Sequence, residues 1–81
     1  MARLPRLTME PFDASTGMTA DAIASAVGVA ASTVRGWRAR GISVWVADLL
    51  AVQVCGVHPY AIWGSQWVDA AWHDMDQLAA A

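Results

Sequence analysis

Lysine is absent from this chain of 81 residues, and its five basic residues are all arginines. Every cationic contact must therefore come from a planar guanidinium, the group suited to guanine edges and phosphates. Basic residues are also missing from the whole second half. Ile42 to Ala81 carries four aspartates and a charge of −4, whereas Met1 to Gly41 carries +2. A polyanion would meet the first half and avoid the second. Cysteine is reduced to Cys55 alone, which excludes an intramolecular disulfide and makes a reducing cytoplasm the expected compartment. No apolar stretch runs for the ~18 residues of a membrane span without Gly, Pro or charge, so no membrane partner is expected. Met1 to Thr8 does not read as a signal peptide, because Glu10, Pro11 and Asp13 follow Arg3 and Arg6 where an apolar run would be needed. Alternation of period two and internal repeats are lacking as well.

What is present is an apolar content of 57% against 15% charged residues, the balance of one small globular domain rather than a disordered chain. Seventeen alanines favour helix over strand. Gly17, Gly28, Gly41, Gly56 and Gly64 each close a run of roughly 5 to 15 residues, the spacing of a compact helical domain. The expectation is all-α, beginning with a mobile basic arm over residues 1–8. A first helix follows over about 9–16, with Thr8 as its N-cap and Pro11 in its first turn. Thr19 caps a second helix over about 20–27, with Ile23, Ala24 and Val27 on its apolar side. A third runs over about 31–40. Ser43 caps a fourth, about 44–55, apolar on almost every side except Asp48 and Gln53 and therefore expected at the centre of the core. A short fifth helix starts at Pro59 after His58 and ends near Trp63. A sixth covers about 66–78.

The informative stretch is Ala20 to Trp37. A helix-turn-helix requires a small residue where two helices cross, and Ala24 provides it. Four residues later the backbone must enter a left-handed turn, where Gly28 stands. Val29 plugs the crossing. Val34 and Trp37, three apart, supply the β-branched and bulky apolar residues that dock the second helix on the first.

With these residues in place the sequence resembles the lambda-repressor-like, or Cro-type, family of helix-turn-helix DNA-binding domains. The likeness covers roughly residues 9–64. Arg38 to Ser43, Asp48 to Val52 and Gly56 to Gly64 look like the fourth and fifth helices of small phage and mobile-element repressors. The resemblance implies a five-helix domain that places its third helix in the DNA major groove, usually as a dimer. Residues 65–81 lie outside that minimal domain.

At about 100° per residue, Val34 and Trp37 define the buried side of the third helix. Opposite lie Ser32 and Ala39, with Arg35 and Gly36 within about 50° of that direction, Arg40 near the edge, and Thr33 and Arg38 to the sides. Arg35 is thus the long side chain aimed at the groove floor, suited to a bidentate pair with guanine. Ser32 suits a base or a phosphate, and Arg38 and Arg40 suit backbone phosphates. For Arg38 the competing reading is an ion pair with Asp48. Gly36 has two readings: close approach of helix to DNA, or a tolerated weak spot costing ~1 kcal/mol of helix stability. Arg3 and Arg6 suit an adjacent minor groove, in the manner of a homeodomain arm.

Trp37, Trp45 and Trp63 are expected to fill the core. On the sixth helix, Val68, Ala71, Trp72, Met75 and Leu78 form one stripe, with Trp67 beside it as a second anchor. Gln66, Asp69, His73 and Asp76 lie opposite. The stripe either caps the core or pairs with a second copy, making a homodimer. Asp69, His73, Asp74 and Asp76 stand close in sequence, Asp69 and His73 one turn apart, but no cysteine or second histidine is nearby; a solvated acidic face is the expectation and no metal is expected. No cofactor is implied. Cys55 reads as a core thiol. No nucleophile–base pair, phosphate loop or paired carboxylates stand at motif spacing, and the chain is expected to be no enzyme. The reading is a sequence-specific double-stranded DNA-binding protein, a small repressor. Two alternatives remain open: an acidic helical module that binds or inhibits a basic host protein, and a recombination directionality factor that bends DNA.

Overall fold

Local capping chemistry sets most of the helix ends. The computed structural model of the chain describes residues 6–80, with side chains described for residues 6–72. Its elements are α1 (Glu10–Thr16), α2 (Ala20–Val27), α3 (Ala31–Arg40), α4 (Val44–Leu50, continuing as a π-helical turn over Ala51–Cys55), α5 (Tyr60–Trp63) and α6 (Ser65–Ala80). The domain is all-α. The hydroxyl of Thr19 accepts from the Ala22 N–H and that of Ser43 from the Val46 N–H, each satisfying a donor the helix itself leaves open. The N–H of Tyr60 donates to His58 Nδ1 at 3.0 Å, so the residue before Pro59 caps α5.

Thr8 does not cap α1. Met9 occupies the N-cap position without a side-chain bond, and the Thr8 carbonyl accepts from Trp63 Nε1 at 2.8 Å. The reason lies one residue earlier. Leu7 and Ile42 form an isolated antiparallel bridge, which holds the entering chain extended against the segment that follows α3. The fold therefore includes Arg6, Leu7 and Thr8, and the expected loose arm over residues 1–8 is corrected for these three; residues 1–5 lie outside the described residues. Leu7 is buried in the core.

That core joins Leu7, Met9 and Phe12 to Ile23, Ala24, Val34 and Ile42, and these to Val44, Ala47, Leu50, Ala51, Trp63 and Ala70. Phe12 and Trp63 stack at 6.4 Å and 13°, fastening α1 to α5. Trp37 packs against the core from a half-buried position.

α4 is not central on all sides. Trp45 is 67% exposed and Val52 is 53% exposed, so one flank of this apolar helix faces outward. Trp45 is accordingly no core residue, whereas Trp63 is. Cys55 is a half-buried free thiol. On α6, Ala70 is the buried position, and Trp67 and Ala71 pack beside it, while Trp72 is 62% exposed. The packed face, marked by Trp67, Ala70 and Ala71, is thus turned away from Trp72, and α6 meets both α4 and α5. The Trp67 ring meets His58 edge to face at 4.8 Å. The side chains of Met75 and Leu78 lie outside the described residues. No described helix is long and apolar enough to cross a membrane.

Candidate nucleic-acid interface

The turn between α2 and α3 is short because the end of α2 is closed by its own backbone. Gly28 sits at φ +75°, and the N–H groups of Gly28 and Val29 both donate to the Ala24 carbonyl, at 2.9 and 3.0 Å. Only glycine adopts that left-handed conformation without a Cβ penalty. Val29 then packs on the core and α3 begins at Ala31. Ala24 and Val34 are buried at the crossing, where a larger residue at position 24 would force the two helices apart.

With Val34 buried and Trp37 half-buried, the other side of α3 faces outward. Ser32, Thr33, Arg35, Arg38, Ala39 and Arg40 are all exposed. α3 contains no acidic residue and carries Arg35, Arg38 and Arg40, the last two in its final turn. The four arginines described near it fall into two pairs with different tasks.

Arg6 and Arg38 are engaged with the protein. Arg6 donates from Nε to the Arg40 carbonyl at 3.2 Å and from Nη2 to the Gly41 carbonyl at 2.9 Å. Those carbonyls carry the negative end of the α3 dipole and have no helical partner, so Arg6 acts as a C-terminal clamp on α3. Arg38 forks onto Asp13, with Nη2 to Oδ1 at 2.9 Å and Nε to Oδ2 at 3.2 Å, and also donates to the Met18 carbonyl at 2.9 Å. Its partner is Asp13, not Asp48. The hydrogen bond with Asp13 holds the Arg38 guanidinium above its ordinary pKa, partial burial opposes this, and the Asp13 charge adds to it. No short-range pattern announces this pair, since its members stand 25 residues apart.

Arg35 and Arg40 are different. Among the described residues neither makes a side-chain hydrogen bond or an ion pair; the arginine bonds are those of Arg6 and Arg38. Arg35 is exposed in the middle turn of α3. Arg40 folds back along the helix, and its guanidinium lies against Gly36, which is buried. At the C-terminal end of α3, an open groove runs between the Arg6–Thr8 segment and Arg38–Gly41. Arg3 lies outside the described residues.

Among the described residues, no group of three or more His, Cys, Asp or Glu side chains is gathered as metal ligands would be. The side chain of His73 lies outside the described residues. A second surface feature is apolar: Trp67, Val68, Ala71 and Trp72 line an open groove along α6. Comparison with protein-family models, curated proteins and solved structures finds no match for the chain.

Proposed function

We propose that the chain is a sequence-specific double-stranded DNA-binding protein, a small repressor of the lambda-repressor-like, Cro-type kind, that lays α3 in the major groove. The observation that carries this reading is the outward face of α3. Ser32, Arg35, Ala39 and Arg40 are exposed there without an acidic neighbour on their helix, behind a tight, glycine-closed turn. The major groove admits one α-helix, and the arginine fork matches the O6/N7 edge of guanine. On this reading Arg35 and Ser32 address base edges, with Thr33 and Ala39 beside them. Arg38 and Arg6, already tied to the protein, orient the helix rather than read DNA. Occupation of an operator would suffice for repression.

The open apolar groove with Trp72 at its rim supports pairing of two copies through α6. Such a dimer would present its two α3 helices to major grooves ~34 Å apart.

Selection of duplexes from a random pool by the pure protein tests the reading. Enrichment of a defined motif is expected, palindromic for a symmetric dimer. Arg35→Ala should relax one base position and weaken specific binding by ~1–3 kcal/mol, with a smaller loss on random duplex. Equal losses on both would remove the base-reading role. Failure to retard any duplex at low salt would overturn the whole reading.

One observation favours a second reading. Trp45 and Trp72 expose large apolar surface on a half of the chain that has no basic residue, a combination suited to a basic protein partner. Retention of such a partner without any DNA retardation would select this alternative.

A further inference from the structure

Gly36 is buried although it does not belong to the core side of α3 that Val34 marks. The three nearest heavy atoms to the direction in which its Cβ would point are Nη2, Cζ and Nη1 of Arg40, with Cζ at 3.2 Å, Nη1 at 3.6 Å and Nη2 closer still. Helical side chains lean toward the N-terminus, so residue 40 lies over residue 36, one turn back. A Cβ at position 36 would occupy the space the guanidinium fills. With no Cβ there, the long arm of Arg40 can lie flat along the helix.

We infer that Gly36 is the seat of Arg40, and that Arg40 is a base-reading residue rather than a phosphate contact. This rests on the DNA-binding reading of the α3 face. From its Cα at the last residue of α3, Arg40 would be placed for the flanking backbone. Folded onto Gly36, its charge is carried one turn back from the end of α3, to the position next in sequence to Arg35. Gly36 thus has a role that neither of its sequence readings contained: it lowers the floor of the face so that a guanidinium carried by the next turn can occupy it. None of the Arg40 N–H groups donates to a described residue, so the whole fork remains available to an outside acceptor. A guanidinium at Gly36 in addition to that of Arg35 suits two guanines, each accepting through O6 and N7.

The test compares the wild-type chain with Gly36→Ala, Arg40→Ala and the double variant, each taken through duplex selection and titrated on selected and random duplex. Circular dichroism checks that Gly36→Ala folds. It should, because its Cβ displaces only the end of a flexible side chain and alanine favours helix over glycine. Arg40→Ala is expected to cost about 5- to 150-fold on the selected duplex, to relax one base position, and to leave random-duplex affinity much less changed. Gly36→Ala is expected to relax the same position, and the double variant to be no worse than Arg40→Ala alone. Selection of the wild-type motif by a folded Gly36→Ala, or an equal loss on both duplexes for Arg40→Ala, would overturn the inference while leaving DNA binding standing. A wild-type chain that selects no motif would overturn both.

Discussion

Leu7 and Ile42 exchange two backbone hydrogen bonds, each 2.8 Å long, across an interval of 35 residues, and both side chains are buried. The segment before α1 is thereby fixed to the segment that leaves α3. Arg6, one residue upstream, is carried onto the exposed carbonyls at the end of α3 by the same bridge. The N-terminal segment thus helps set the orientation of the candidate DNA-reading helix.

Leu7→Ala should therefore be costly even though position 7 lies in what reads as a terminal arm. Removal of a buried leucine side chain typically costs ~2–5 kcal/mol. Urea denaturation should show the midpoint fall, whereas a loss below about 0.5 kcal/mol, the range of an ordinary surface substitution, would mean that Leu7 contributes little to the core.

Gly41→Ala should destabilise for two separate reasons. Gly41 has φ +87°, and a Cβ there would stand 2.9 Å from the Leu7 carbonyl oxygen. Backbone cannot move aside as a flexible side chain can, so the bridge to Leu7 must open. Gly17→Ala, also at positive φ but with open space around it, is the control. It should lose the ~1–2 kcal/mol of left-handed strain alone, and Gly41→Ala should lose clearly more.

The ion pair between Arg38 and Asp13 should contribute only modestly, because both side chains are about one-third exposed, at 33% and 32%. Arg38→Met is expected to cost ~0–1 kcal/mol. The Arg38 pKa is raised in the folded chain, chiefly by the Asp13 hydrogen bond. A base with a raised folded pKa contributes stability that is complete below its unfolded pKa and is lost only above it. The difference between wild type and Arg38→Met should therefore stay constant from about pH 7 to 10. A difference that shrinks over that interval would contradict the assigned pairing.

Trp72→Ser should leave monomer stability nearly unchanged, since this indole is 62% exposed. If α6 joins two copies, the same substitution should shift the sedimentation profile toward monomer and raise the protein concentration needed for DNA retardation. An unchanged oligomeric state would remove Trp72 from the interface.

The bounds of α2 and α3 and the turn between them were legible in the residue order. Thr19 as cap, Gly28 as left-handed closure and the Val34/Trp37 spacing act within a few residues of one another, and the structure places α2 over Ala20–Val27 and α3 over Ala31–Arg40. The outward exposure of Ser32 and Arg35 follows from the same local geometry. Other features were hidden because they depend on distant partners. Trp45 stands in a helix needed to close the core, yet it is left exposed among the described residues. Thr8 has the chemistry of a helix cap, yet the Leu7–Ile42 bridge and the Trp63 indole direct it elsewhere.

The arginines divide along the same line. Their number, the lack of lysine and their concentration before Ile42 are properties of composition, and a helix period suffices to aim Arg35 outward. Which of them remain available for a ligand was settled by folding. Arg6 reaches carbonyls 34 and 35 residues away, and Arg38 reaches a carboxylate 25 residues away. Such pairings arise when α1 and the entering segment pack beside the end of α3, and no rule of short spacing encodes them.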